Sequence, residues 1–359
     1  MNKLVSIITP CYNGELFLQR WANSIFLQTY RPIELILIDD GSTDRTESIF
    51  DSYHSRLVKS GITSRYIYQN NSGPAAATNQ GLARFEGEYL SWMDSDDYLF
   101  PQSIERRVRF LEEHREYGLV RSDGVKTIEQ SPFKAYGTLS GKRSNRFNTS
   151  IFEDILMSKT FITAGCYMAR KSAFLKVYPK RSIYQPLNMG QNYQMLLPLT
   201  FSFRCGYIDE PLMGYVVRKH SRARTWRVSF DRQLARISGV EDIVLNVLDE
   251  IGGKANKYTA MARSKYARLR LELAYRYNKT DLGRQSYQAI KQYRSPTLQE
   301  HWWFISSQAM LPHFFVDSVN VLSTALIRRR KVLRAYFLSP WLTEEVLNAL
   351  IALEDNCQL

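Results

Sequence analysis

A chain of 359 residues with 44% hydrophobic and 13% aromatic content is too apolar to be disordered and long enough for two domains, read here as 1–229 and 230–359. Its four cysteines, Cys11, Cys166, Cys205 and Cys357, lie far apart and argue against both a disulfide framework and a zinc site. A net charge of +13 calls for an anionic partner, and the lack of an RNA-binding aromatic motif, zinc finger or compact basic reading helix argues against nucleic acid.

The apolar run at 4–8 is too short for a signal peptide and reads as a buried strand, so a cytoplasmic protein is expected. A helix over 16–28 follows, then a strand over 33–38 that ends directly in Asp39-Asp40-Gly41-Ser42. Next come a helix over 46–59, a strand over 64–68, the loop 69–74 and a helix over 75–85. A strand over 89–93 stops at Asp94-Ser95-Asp96-Asp97, and a helix over 103–114 opens with Ser103 as its expected N-cap. This alternation predicts an α/β domain with a largely parallel sheet, in which ligands collect outside the carboxyl ends of strands. Residues 123–148 read as an exposed irregular loop, and helical patterning resumes over 151–157. Beyond about residue 230 the strand signals fade into helical patterns at 231–251 and 257–277, with Pro296, Pro312 and Pro340 as breaks.

Two acid clusters carry the chemistry. Asp94 and Asp96, one residue apart at a strand end, can converge on one divalent cation through hard oxygen ligands, or simply cap a turn. Asp39 and Asp40, adjacent at the end of an apolar strand, must point in opposite directions. One of them can accept hydrogen bonds from a nucleobase imide or a ribose, and a turn with an N-cap is the plainer alternative.

Taken together, Val5-Ser6-Ile7-Ile8-Thr9-Pro10-Cys11-Tyr12-Asn13-Gly14, Asp39-Asp40-Gly41-Ser42-Thr43-Asp44 and Gly87-Glu88-Tyr89-Leu90-Ser91-Trp92-Met93-Asp94-Ser95-Asp96-Asp97 resemble, in order and spacing, the family 2 glycosyltransferases of the GT-A fold. The resemblance covers about residues 3–225 and extends to the loop Asn70-Asn71-Ser72-Gly73-Pro74. It implies an inverting transferase that uses a nucleoside diphosphate sugar, usually a UDP-sugar, with Mn2+ or Mg2+. By the same resemblance Thr9, Pro10, Tyr12, Asn13, Asp40, Asn71 and Ser95 shape the donor pocket, Asp39 reads the base, and Asp94 and Asp96 hold ribose, metal and diphosphate. His220, within His220-Ser221-Arg222-Ala223-Arg224, resembles the family's histidine-containing stretch that closes over the diphosphate and can ligate the metal.

One departure stands out at Gly190-Gln191-Asn192, where many inverting relatives carry Glu-Asp and the aspartate deprotonates the acceptor. An amide orients a hydroxyl but cannot take its proton near neutral pH. The base is then sought in His220 or Asp97, or in the leaving phosphate, and a weak or inactive sugar-nucleotide-binding scaffold is the alternative function. A sugar nucleotidyltransferase is disfavoured, because 9–15 holds one glycine and no lysine or arginine. Residues 302–327, followed at once by Arg328-Arg329-Arg330-Lys331, read either as an interfacial helix on an anionic membrane or as an amphipathic helix packed on the protein. Pro312, His313 and Asp317 argue against a span. The membrane reading places the chain peripherally on the inner face of the cell membrane and makes a lipid-linked saccharide the natural acceptor; otherwise the acceptor is a saccharide. The sequence leaves the oligomeric state open.

Overall fold

The computed structural model describes residues 2–186, 189–219 and 229–308, which fall into two compact units divided between Val217 and Arg218. The first unit is built on strands β1 (Val5–Cys11), β2 (Ile33–Asp39), β3 (Ile62–Tyr68) and β4 (Tyr89–Trp92), linked by helices α1 (Leu18–Phe26), α2 (Thr46–Lys59) and α3 (Pro74–Leu82). All of β2 and nearly all of β1 are buried, which explains why their sequences read as apolar runs rather than alternating patterns. Helix α1 buries Leu18, Trp21, Ala22 and Ile25, the three- and four-residue spacing of a face packed on a sheet.

β1 pairs in parallel with β2 on one side and β4 on the other, and β2 pairs in parallel with β3. The chain steps outward from β1 to β3, then returns to the opposite side of β1 with β4. That reversal is a topological switch point, and it sets the carboxyl ends of β2, β1 and β4 along one edge of the sheet. The sheet continues through β5 (Tyr98–Leu99), α4 (Ser103–Glu113), β6 (Tyr117–Ile128), β7 (Gly137–Thr138), α5 (Phe152–Leu156), β8 (Tyr167–Arg170), α6 (Lys171–Val177), α7 (Asn192–Ser202) and β9 (Arg204–Val217). Its order is β3-β2-β1-β4-β8-β6-β9-β5, with β7 on β6, and the β4–β8, β8–β6 and β5–β9 pairs are antiparallel.

Two sequence expectations are corrected here. Ser103 is the first residue inside α4, and Gln102 holds the cap position without a capping side-chain bond. Residues 123–128 belong to β6 rather than to an exposed loop. The polar Asp123 is buried in that strand because its carboxylate accepts from the Ser140 N–H at 3.0 Å and the Ser140 hydroxyl at 2.5 Å, so a partner distant in sequence removes the penalty of burying it.

The second unit consists of α8 (Phe230–Ile251), α9 (Asn256–Arg276), α10 (Thr280–Tyr293) and α11 (Leu298–Gln308). Ala267 and Leu271 of α9 pack with Tyr287 and Ile290 of α10 and Trp303 of α11, and the Tyr287 ring stacks on Phe304 at 4.3 Å. A capping box starts α11: the Thr297 N–H donates to Glu300 at 2.7 Å, and the Glu300 N–H donates back to the Thr297 hydroxyl at 3.3 Å. Arg294 meets both oxygens of the buried Glu300 carboxylate, at 2.6 and 2.8 Å. Burial pushes the Glu300 carboxyl upward, but the bonds from Arg294 and Thr297 override it and pull it down to about 2. The folded state therefore favours the carboxylate. Its contribution to stability is complete above the ordinary carboxylate range and fades as pH falls toward 2. Glu300→Ala is expected to destabilise this unit by about 3 kcal/mol, because it strands a guanidinium and a helix start together, and denaturant unfolding followed by helical circular dichroism would read the loss. Among the described residues no helix is long and apolar enough to cross a membrane.

Candidate active site

Register places both acid clusters beside the end of β1. Cys11 lies opposite Asp39 across the β1–β2 ladder, and Ile8 lies opposite Trp92 across β1–β4, two residues before Asp94. The loops that follow these strands are laced together. The Asn13 N–H donates to the Ser42 hydroxyl at 2.8 Å, and the Asn13 side-chain carbonyl accepts from the Thr43 N–H at 2.9 Å. Asn13 itself sits in the left-handed region at φ 50°, a conformation asparagine tolerates better than most residues. Gly41, at φ 80°, is obligatory for a second reason: a Cβ there would stand 2.7 Å from the backbone nitrogen of Asn71.

Asp39 and Asp40 do different things. Asp39 is 2% exposed, and its carboxylate accepts from the Ser42 N–H at 2.8 Å on one oxygen and from the Tyr66 hydroxyl at 2.5 Å on the other. Each oxygen keeps a further lone pair. Asp40 accepts from the Gln69 side chain at 2.7 Å and from the N–H groups of Ser72 and Gly73 at 2.8 and 2.9 Å. Its carboxylate thus fixes the loop that carries the exposed Asn71. Thr9 is fully buried and its hydroxyl has no partner among the described residues, whereas Tyr12 is 48% exposed beside the same strand end, with Pro10 partly buried between them.

After β4, carboxylate oxygens of Asp94, Asp96 and Asp97 lie within 4.8 Å of one another. Asp94 and Asp96 are partly exposed and Asp97 is fully buried. One Asp97 oxygen accepts from the Val216 N–H of β9 at 2.9 Å, and the other has no hydrogen-bond partner among the described residues. Burial, then the charges of Asp96 and Asp94, push the Asp97 carboxyl well above the usual carboxylate range. Three carboxyl groups with one orphaned buried oxygen form a hard-oxygen donor set that suits Mn2+ or Mg2+. The motif is held from behind by Arg20 of α1, whose guanidinium donates to the Asp96 backbone carbonyl at 2.8 Å. Ser95 is buried and hydrogen-bonds the Cys11 thiol, which burial pushes up to about 12, so that thiol is inert packing.

From the far half of the unit, Gln191 reaches the cluster: its amide donates to an Asp94 oxygen at 3.2 Å. Asn192 begins α7, with its side-chain carbonyl buried and without a partner among the described residues. The segment before Gln191 is held by Asn79 of α3, which exchanges two 2.8 Å hydrogen bonds with the backbone of Ile183. Tyr167 is buried and stacks on Trp92 at 6.2 Å, as core packing. His220 lies outside the described residues, as do residues 309–327 of the apolar C-terminal stretch. Tyr66 and Arg20 carry no local sequence mark, because their partners lie 27 and 76 residues away.

The family model of glycosyl transferase family 2 matches residues 6–178. A Bacillus subtilis protein named as a glycosyltransferase, EpsE, is 32% identical over 256 residues, which cover 69% of this chain and 85% of that protein. An uncharacterised glycosyltransferase of Rickettsia typhi is 35% identical over 133 residues, covering 37% of this chain and 40% of the relative, so the chain matches well under half of that protein. Among solved structures, a mannosyltransferase of Pyrobaculum calidifontis in complex with GDP-Man and Mn2+ has a TM-score of 0.53 at 16% identity, covering 99% of this chain and 87% of that one. S. aureus TarS has a TM-score of 0.50 at 19% identity, covering 82% and 56% respectively. These two structural likenesses bear on the fold, which is the GT-A arrangement of a mostly parallel sheet flanked by helices. Identity to EpsE across most of both chains, with a family match that spans the strands presenting both acid clusters, makes this chain a member of glycosyl transferase family 2.

Proposed function

We propose that the chain transfers a sugar from a nucleoside diphosphate sugar, a UDP-sugar by the sequence resemblance, to a hydroxyl of a saccharide or lipid-linked saccharide, with inversion and with a divalent cation, in the synthesis of a surface polysaccharide or glycoconjugate. The observation that carries this reading is the convergence of Asp94, Asp96 and Asp97 on the sheet edge that also presents Asp39. The related mannosyltransferase, which carries GDP-Man and Mn2+, supports the donor class and the metal class together. In this reading Asp39 accepts from the nucleobase imide, Tyr12 lies against the base, and Asp94 and Asp96 hold the metal and diphosphate. A divalent cation held there offsets the charge on the departing diphosphate. The bond from the anomeric carbon to the diphosphate breaks as the acceptor oxygen attaches from the opposite face, and the acceptor proton passes to a base.

Neither Gln191 nor Asn192 can be that base. Full burial and the Val216 bond favour a supporting role for Asp97, which leaves His220 and the leaving phosphate, and the base is assigned here to His220. His220→Ala is then expected to lower turnover at least about a hundredfold, against less than about tenfold for Asn192→Ala. Equal small effects in steady-state assays would reject the assignment.

Titration calorimetry with UDP in the presence and absence of Mn2+, followed by UDP release from a panel of sugar donors, tests the whole reading. Metal-dependent binding with turnover is expected. Binding without turnover across many acceptors would instead favour a scaffold subunit, for which the amides at 191 and 192 give the specific motive. No metal-dependent nucleotide binding would overturn both.

A further inference from the structure

Helix α11 is apolar on two opposite faces. One face packs inward through Trp303 and Phe304 against Tyr275 and Tyr287. The other carries Leu298, Trp302 and Ile305 at the i, i+4, i+7 spacing of a single stripe, and they are 88%, 51% and 56% exposed. Isolated exposed apolar residues need no explanation, but three large ones aligned along one helix mark a surface made to be covered.

The charge of α11 and of α9 and α10, which pack on it, narrows what covers the stripe. Across α9, α10 and α11 the acids are Glu272, Asp281 and Glu300, and each is already paired: Glu272 with Arg276, Asp281 with Arg284, and Glu300 with Arg294 and Arg268. Eight arginines and lysines stand against these three acids in the same helices, among them the exposed Arg263 and Lys291, and the exposed Lys279 lies just before α10. The unit's other acids are concentrated on α8, so a protein partner fitted to α9–α11 would need an acidic surface together with an apolar groove. An anionic bilayer offers both at once: phosphate head groups over acyl chains, with the Trp302 ring suited to the boundary between them.

We propose that α11 docks this unit on an anionic membrane surface, with Leu298, Trp302 and Ile305 inserted among the acyl chains and the surrounding cations against the head groups. The proposal stands apart from the donor and metal reading, since docking requires no turnover.

The test is co-flotation of the full chain with vesicles of phosphatidylcholine containing about 30% phosphatidylglycerol, compared with phosphatidylcholine alone. Binding to the anionic vesicles is expected, weakening with salt, and a Leu298→Ser/Trp302→Ser/Ile305→Ser variant should lose at least about tenfold in partitioning. Because all three side chains are exposed and none belongs to the active site, the variant should keep its thermal midpoint and its metal-dependent UDP binding. Equal flotation of variant and wild type would overturn the proposal. So would a lipid-free dimer in light scattering that the triple variant dissolves, because the stripe would then be an interface between two copies.

Discussion

Asp96→Asn is expected to lower turnover about a thousandfold while leaving the metal-free protein at least as stable as the wild type. The two halves of this expectation have one cause. Asp94, Asp96 and Asp97 crowd their oxygens within 4.8 Å, with one member buried, and without a cation that crowding is repulsive. Neutralising one charge relieves the repulsion and removes a hard ligand in the same step. Asp96 is a cleaner target than Asp94, because Asp94 also accepts from Gln191 and its loss would loosen α7. The Arg20 bond to residue 96 is made to the backbone carbonyl and survives the substitution. Steady-state rates, Mn2+ titration and thermal unfolding of the metal-free protein together test the idea. A variant that loses stability and activity in parallel would show that the cluster is a structural turn.

The parts of this molecule that were legible in sequence are those whose cause is local. β2 announces itself as an unbroken apolar run because its seven residues are all buried, and the run ends where Asp39 reaches the sheet edge. The same holds for Asp94 after β4, and α8 and α9 follow the helical periodicity read over 231–251 and 257–277. What stayed hidden depends on partners far along the chain. β6 carries Asp123 in its middle, where the sequence reads as the start of an irregular loop until Ser140 arrives to satisfy the carboxylate. The contact of Gln191 with Asp94 spans 97 residues, so the sequence marks Gln191 as a missing acid and gives no hint that it steadies an acid already present. Thr297 and Glu300 form a different kind of miss: their spacing is a capping-box signature visible in the sequence, obscured by reading Pro296 only as a break.

Adjacent aspartates with different partners should fail in different ways. Asp39→Asn is expected to weaken UDP binding about 10- to 100-fold, with little change in the thermal midpoint. The amide is isosteric, and its NH2 group can donate to the Tyr66 hydroxyl while its carbonyl still accepts from Ser42, so the fold is kept. What is lost is a charged, acceptor-only group, which in the proposed function accepts from the base imide. Asp40→Ala should do the reverse. It strands the Gln69 amide and the N–H groups of Ser72 and Gly73, at a cost of about 3 kcal/mol in stability, while its effect on the choice between UDP and GDP stays small. Tyr66→Phe falls between them. Removing the 2.5 Å bond that orients Asp39 should raise KM for the donor about fivefold at unchanged kcat and narrow the preference for uracil. The three variants are compared by calorimetry with UDP and GDP, thermal unfolding and donor-dependent kinetics. If Asp39→Asn and Asp40→Ala shift nucleotide affinity equally, Asp39 does not read the base, and the pair is a turn that holds the loop in place.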